Sequence, residues 1–200
     1  MNLTWLATRA SGFVAYGLLA ASVVWGLLNA SRLLGRSISV RKVTFFHESL
    51  SVAALLATAM HLGFLYADSY VGFGVKDLLI PGAASWKPQA VAFGVVTFWG
   101  MALVTVSFYL HLRRRISKRV WRILHFGTFG LFVGAMLHGL TAGTDSGNPV
   151  AIALYASTGA VVATLVTARI VLAARPRGRQ VVLPEAGRRV RAKVVASRGF

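Results

Sequence analysis

Five long apolar stretches constrain the fold of this chain more than any other feature of its sequence. They run over about Gly12 to Leu34, Val43 to Tyr66, Ala90 to Leu112, Trp121 to Leu140, and Val150 to Ala173. Each has about the 20 residues that an α-helix needs to cross a bilayer core. Hydrophobic residues make up 56% of the chain and charged residues only 14%, and the charges cluster between the stretches. We therefore predict an all-α fold, an integral membrane bundle of five transmembrane helices. The first stretch lacks a basic segment before it and a cleavage site, so we interpret it as a span rather than a signal peptide.

The positive charges, which give the chain a net charge of +17, are distributed very unevenly. One side of the predicted bundle carries Arg32, Arg36, Arg41 and Lys42, then Arg113, Arg114, Arg115, Lys118, Arg119 and Arg122, and the many arginines after position 174. The other side carries only Arg9, Lys76 and Lys87. This pattern predicts that the N-terminus lies outside and the C-terminus in the cytoplasm. It also favours contact with anionic membrane lipid over a nucleic-acid partner.

The chain divides into a membrane domain, residues 1–174, and a basic cytoplasmic tail, residues 175–200, which we expect to be disordered. The loop from Ala67 to Gln89 contains several turn residues, and Val75 to Ile80 is predicted to form a short helix within it. Pro149 suits the first turn of the last helix. The richness in Ala, Gly, Val and Arg is typical of GC-rich bacteria, so we expect a multi-pass protein of the bacterial plasma (inner) membrane.

Four of the five histidines lie inside the apolar stretches, as two pairs with similar spacing. His47 and His61 belong to the second stretch, and His125 and His138 to the fourth. An imidazole ring is costly in hydrocarbon, so such histidines indicate a functional site. The second and fourth helices should run in the same direction, which pairs His47 with His125 near the cytoplasmic face. The same reasoning pairs His61 with His138 near the outer face.

Neutral imidazole is a good axial ligand for haem iron, and its second nitrogen remains available to donate a hydrogen bond. Two such ligands leave no open position on the iron, which favours electron transfer. We therefore predict two bis-histidine haems, one near each face of the membrane.

The spacing in the fourth stretch does not fit an ideal helix. Fourteen residues at about 100° each bring His61 to within about 40° of the face of His47. Thirteen residues leave His125 and His138 about 140° apart. We expect either a distortion of the fourth helix near its glycines, such as a 3₁₀ turn, or haems that are rotated relative to each other.

The chain contains no cysteine, which excludes thiolate haem ligation and iron–sulfur clusters. It also has no dinucleotide-binding motif and no soluble domain that could hold a flavin or nicotinamide nucleotide. Electrons that arrive from the cytoplasm must then be delivered by another polypeptide.

Several segments resemble the ferric-reductase-like transmembrane family. They are Trp121-Arg122-Ile123-Leu124-His125, the stretch from His138 to Asp145, Leu78-Leu79-Ile80-Pro81, and Arg9-Ala10-Ser11-Gly12. The family includes the membrane halves of ferric reductases and NADPH oxidases, and the haem subunit of a bacterial methionine-sulfoxide reductase system. The resemblance covers about Arg9 to Arg175, and its most specific element is the pair of histidine spacings.

The resemblance implies b-type haem with His47, His61, His125 and His138 as ligands; two haems are expected, although some smaller relatives hold one. It also implies electron flow from a separate flavin or NAD(P)H reductase, or from quinol, to an extracytoplasmic acceptor. The chain would be the electron-transfer subunit of an oxidoreductase. The alternative is a haem-free transporter or assembly protein that uses buried histidines for proton movement. That alternative predicts carboxylates or lysines paired with the histidines.

Haem propionates need cationic or hydrogen-bonding partners near each membrane surface. We consider Arg41 and Arg122 candidates on the cytoplasmic side and Arg9, a lone cation opening the first span, on the outer side. Glu48 follows His47 and is a candidate hydrogen-bonding or proton-carrying group. His111, at the end of the third stretch, is interpreted as an interfacial residue.

Overall fold

The computed structural model describes residues 3–31 and 39–174, and all regular secondary structure in these residues is α-helical. The helices are α1 (Leu3–Ala30), α2 (Val40–Ala67), α3 (Val75–Leu79), α4 (Pro88–Leu112), α5 (Lys118–Phe126), α6 (Thr128–Ala142) and α7 (Pro149–Ala174). Five segments are long and apolar enough to cross a membrane, with α5 and α6 counted together as one span. The predicted helical class and number of spans are therefore confirmed. Arg32, Arg36 and the predicted tail at 175–200 lie outside the described residues.

The helix boundaries differ from the predicted ones mainly in the first span. The helix α1 begins at Leu3 rather than at Gly12, because the apolar residues before Arg9 continue the helix, and it ends at Ala30. The short helix in the long loop is confirmed at Val75–Leu79. Pro149 is the first residue of α7, as its lack of a backbone donor favours.

The helix α1 lies at the centre of the bundle and contacts α2, α6 and α7, while α4 packs mainly against α6. The buried side chains of α1, among them Tyr16, Leu19 and Val23, form the core with Phe132 of α6 and Tyr155 of α7. The ring of Tyr16 stacks on Phe132 at a centroid distance of 5.9 Å and meets Tyr155 edge-on at 4.7 Å. These aromatic contacts hold α1 against α6 and α7.

Large apolar side chains cover the outside of the bundle. Phe45 is 65% exposed, and Leu56, Leu103 and Ile170 are also exposed. An exposed apolar surface of this extent is unfavourable in water and is what a lipid-facing surface requires. The structure thus describes a multi-pass membrane protein.

The two ends of the bundle differ in charge. We call the end where α4 stops at Leu112 and α5 starts at Lys118 the basic end, and the opposite end, which carries α3, the α3 end. At the α3 end the hydroxyl of Thr4 donates to Asp68 at 2.8 Å, which ties the start of α1 to the end of α2. The helices α1 and α2 therefore run antiparallel.

The fourth span is interrupted at Gly127, between α5 and α6. The N–H of Gly127 donates to the carbonyls of Ile123 at 3.3 Å and Leu124 at 3.0 Å, and the second of these is a bond of the 3₁₀ type. The hydroxyl of Thr128 donates a hydrogen bond to the carbonyl of His125 at 2.7 Å. The break lies between the two histidines of this span, so the first of the two alternatives offered for their thirteen-residue spacing, a distorted helix, is present.

Candidate metal centres

The four histidines of the spans meet as two pairs inside the bundle. The rings of His47 and His125 have centroids 5.8 Å apart, and those of His61 and His138 have centroids 6.4 Å apart. The ring planes within each pair are nearly perpendicular, at 76° and 78°. The structure thus brings together the same pairs that the directions of the second and fourth spans predict.

Both separations suit one metal ion between two imidazoles. An imidazole nitrogen binds a first-row metal at about 2 Å, so a metal lies about 3 Å from each ring centroid and the two centroids lie about 6 Å apart. The observed distances of 5.8 and 6.4 Å are close to this value. Each pair can therefore supply two ligands on opposite sides of one metal.

Three of the rings are oriented by a hydrogen bond from Nδ1 to a backbone carbonyl. His47 Nδ1 lies 3.0 Å from the oxygen of Ser22, His61 Nδ1 lies 2.9 Å from that of Thr8, and His138 Nδ1 lies 2.8 Å from that of Ala90. A carbonyl only accepts, so Nδ1 carries the proton in each ring. The lone pair then resides on Nε2, the tautomer that a metal ligand with such a partner adopts.

A glycine four residues after each accepting carbonyl makes room for the ring. A Cβ on Gly12 would lie 3.1 Å from His61, one on Gly26 would lie 3.1 Å from His47, and one on Gly94 would lie 2.8 Å from His138. In a helix the carbonyl of residue i bonds the N–H of residue i+4. With glycine at i+4 no side chain covers the carbonyl of residue i, so that oxygen can accept a second hydrogen bond from the Nδ1 of the histidine.

His125 is held differently, by its neighbour Trp121. The two rings stack at a centroid distance of 5.1 Å and an angle of 24°. His125 lies thirteen residues before His138, so its counterpart of Gly94 on α4 is the residue thirteen positions after Gly94, which is Ser107. Ser107 is buried, and its hydroxyl donates to the carbonyl of Val104 at 2.7 Å. A serine at this position does not bare the backbone as glycine does.

A cavity surrounds each histidine pair. The cavity at the basic end, which we call the inner cavity, measures about 710 Å³ and is lined by residues of α1, α2, α4, α5, α6 and α7. The cavity at the α3 end, the outer cavity, is smaller and measures about 170 Å³. Leu19 and Met101 line both cavities and so form the wall between them. Apart from their histidines, both cavities are lined mainly by apolar side chains, as a porphyrin face requires.

Each cavity contains one buried polar atom that has no hydrogen-bond partner within the described residues. These atoms are Oγ1 of Thr8 in the outer cavity and Nε1 of Trp121 in the inner cavity. A buried donor without a partner costs about 1–3 kcal/mol.

Cationic side chains line both cavities. Arg122, Lys118 and Arg169 line the inner cavity, and no carboxylate is among the described residues that line it. Arg9 lines the outer cavity, where its guanidinium forms a two-point ion pair with Asp145, with Nε 2.6 Å from Oδ2. Arg41 is exposed on the first turn of α2 and does not line either cavity.

The loop before α4 closes the outer cavity. Phe73 and Trp86 line this cavity and pack on each other, with centroids 6.1 Å apart. Lys87 adopts the left-handed conformation, at φ 43°, and its Nζ donates to the carbonyl of Thr141 at 2.9 Å. This bond fastens the loop to the end of α6, three residues beyond His138.

Glu48 and His111 both lie apart from the inner cavity. Glu48 accepts a hydrogen bond from the hydroxyl of Tyr109 at 3.0 Å and does not line the cavity. His111 does not line the cavity and stacks on Trp121 at a centroid distance of 5.3 Å. Within the described residues, no three histidines, aspartates or glutamates lie close enough to hold a bare metal ion. A two-histidine site needs further ligands from the bound group itself, and a porphyrin supplies four nitrogens.

Comparisons of the chain with protein-family models, with curated proteins and with solved structures found no match.

Sequence reasoning missed Gly12 and Gly26, which make room for His61 and His47. The signal was present, because these two glycines are fourteen residues apart, the same separation as the two histidines. Two antiparallel helices with matched spacings present their residues to each other in reverse order. Sequence reasoning also missed Trp121 as a support for His125 and Asp145 as the partner of Arg9.

Proposed function

We propose that this protein carries electrons across a membrane through two b-type haems, one in each cavity. The observation that carries the proposal is the repeated arrangement of a histidine, a backbone carbonyl and a glycine. It holds three of the four rings by Nδ1, which leaves Nε2 without the proton, and the ring centroids of each pair lie at a separation that suits one iron between them. A bound haem supplies an iron that takes up and releases one electron at a time.

The chain itself performs three tasks in this proposal. His47 with His125, and His61 with His138, would supply the protein ligands of one metal in each cavity. The carbonyls of Ser22, Thr8 and Ala90 fix the ring orientations and raise the basicity of the ligands. Arg122 in the inner cavity and Arg9 in the outer cavity would bind carboxylate groups of the macrocycle.

The direction of electron flow follows from the charge distribution. The positive-inside rule assigns the basic end to the cytoplasm and the α3 end to the outside. Electrons would then pass from a cytoplasmic reductase carrying flavin or NAD(P)H, or from quinol, to an extracytoplasmic acceptor. We propose the chain as the membrane subunit of an oxidoreductase of the ferric-reductase-like type, located in a bacterial plasma membrane.

The alternative of proton movement by buried histidines has less support. It requires carboxylates or lysines beside the rings, whereas the Nδ1 atoms of His47, His61 and His138 contact carbonyl and serine oxygens. Glu48, the nearest carboxylate in sequence, bonds Tyr109 instead.

The test is a reduced-minus-oxidised optical spectrum of the purified protein together with its haem-to-protein ratio. We expect a b-type spectrum and a ratio near two for the natural chain. The double variant His61→Ala/His138→Ala should retain the inner haem alone, and His47→Ala/His125→Ala the outer haem alone. A colourless protein from haem-replete cells would refute the proposal, and a ratio that is unchanged in both variants would refute the ligand assignment.

A further inference from the structure

Three aromatic rings form a continuous stack at the basic end of the bundle. The rings of His111 and Trp121 lie 5.3 Å apart at 14°, and those of Trp121 and His125 lie 5.1 Å apart at 24°. Of the three, Trp121 and His125 line the inner cavity, whereas His111 does not. The stack therefore leads out of the cavity from one of its two histidines.

The far end of the stack lies in the turn between α4 and α5. His111 is in the last turn of α4, and its Nδ1 lies 3.2 Å from the carbonyl of Ile116, at the end of that turn. This contact fixes the ring against the turn, so the stack connects the inner cavity to a defined place on the surface.

The same turn is the most densely charged part of the described chain. Arg113, Arg114, Arg115, Lys118 and Arg119 are exposed, and no acidic residue occurs between positions 111 and 126. Orientation in the membrane explains cations at this end in general. It does not explain why one basic turn is joined to a cavity histidine by stacked rings, and this second observation singles out the α4–α5 turn.

We propose that an acidic electron-donor protein docks on the α4–α5 turn and that the His111–Trp121–His125 stack is the contact through which electrons reach the inner site. This inference rests on the proposed function. In each transfer the reduced donor would lose one electron, and an iron held by His47 and His125 would gain it. No bond forms or breaks, and no proton moves on the stack. His111 and Trp121 are positioning residues in this scheme, since neither ligates the metal.

The docking part is tested with two donors that share one redox ring system and differ in charge. Photoreduced FMN carries a phosphate and riboflavin does not, so both are mixed with the oxidised full-length protein in nanodiscs and haem reduction is followed by stopped flow. Steering by a basic surface raises association rates by about 10-fold or more at low salt. We expect FMN to react about tenfold faster than riboflavin, and this advantage to disappear at high salt.

A matched pair of variants separates this turn from the rest of the basic end. Arg113→Gln/Arg114→Gln/Arg115→Gln should remove the advantage of FMN and weaken FMN binding in equilibrium dialysis. Arg175→Gln/Arg177→Gln/Arg179→Gln loses the same charge elsewhere in the chain and should preserve both. If both variants lost the FMN advantage to the same extent, net charge alone would explain it, and this result would overturn the docking site.

The ring stack is tested with His111→Ala and His111→Phe. The phenylalanine preserves a ring on Trp121, so electron transfer from both flavins should stay near the natural rate, whereas alanine should slow it severalfold. The haem ratio and the electron paramagnetic resonance signal of the inner haem should be unchanged in both variants, because His111 does not line the cavity. Equal rates in both would overturn the path, whereas absence of haem from the natural protein would instead refute the proposed function.

Discussion

The sharpest prediction concerns Gly94, whose missing side chain lets His138 reach the carbonyl of Ala90. In Gly94→Ala the new Cβ would lie 2.8 Å from the His138 ring, whereas ordinary contacts begin at 3.4 Å. The ring must therefore move by about 0.6 Å, which stretches the 2.8 Å bond from Nδ1 to Ala90 beyond normal hydrogen-bond length.

Three contributions determine how much Gly94→Ala changes the free energy of the folded protein. Forcing a methyl group into a packed contact costs about 1–3 kcal/mol, and the lost hydrogen bond costs about 1 kcal/mol. The better helix propensity of alanine offsets about 1 kcal/mol. Since the lost bond orients a metal ligand, we expect the affinity of the outer site for haem to fall by about 10- to 100-fold.

The assay is titration of haem into the purified variant, with the two sites resolved by their midpoint potentials. The matched control is Gly130→Ala, on the same helix as His138, where a Cβ would meet no atom within 4 Å. We expect Gly94→Ala to weaken the outer site and leave the inner site at full affinity, and Gly130→Ala to change neither. An outer site of natural affinity in Gly94→Ala would refute the role assigned to the bared carbonyl.

Three further predictions follow from contacts elsewhere in the chain. Gly12→Ala should lower the haem affinity of the outer site and Gly26→Ala that of the inner site, because each new Cβ would lie 3.1 Å from a histidine ring. Both losses should be smaller than that of Gly94→Ala, and Gly17→Ala, whose Cβ would meet no atom within 4 Å, should change neither site. A larger loss of affinity in Gly12→Ala or Gly26→Ala than in Gly94→Ala would contradict the steric argument. Arg9→Gln should lower the free energy of unfolding by about 1 kcal/mol, because the pair with Asp145 is partly exposed; adding Asp145→Asn should cost little more in chemical denaturation, and fully additive losses would show that the pair is not coupled. In this cysteine-free chain, Arg115→Cys should react with an impermeant maleimide only from the cytoplasmic side and Gly147→Cys only from outside, and the reverse labelling would invert the proposed orientation.

The sequence was sufficient to predict the helices and the partners of the histidines. Apolar length determined the spans, and the parallel direction of the second and fourth spans paired His47 with His125 and His61 with His138. The spacing of thirteen residues predicted either a distorted helix or rotated haems, and the structure has a break in the helix at Gly127. These inferences needed only helix geometry and the thickness of a bilayer.

The support of the rings could not be predicted in the same way, because it depends on which face of α1 meets α2. Glycine is common in membrane helices, where it allows close packing, so Gly12 and Gly26 did not stand out. The partner of Arg9 was also beyond reach, since Asp145 is separated from it by 136 residues. Arg41 looked as suitable as Arg122 by position, but only Arg122 faces a cavity.

We propose that each histidine pair grips one haem iron, and low-temperature electron paramagnetic resonance of the oxidised protein reports on this ligation. The nearly perpendicular ring planes, at 76° and 78°, predict two strongly anisotropic low-spin signals, which are typical of bis-histidine haem with crossed imidazoles. One signal should vanish in His61→Ala and the other in His47→Ala. A high-spin spectrum, or protein that binds no haem when it is supplied in excess, would contradict the account.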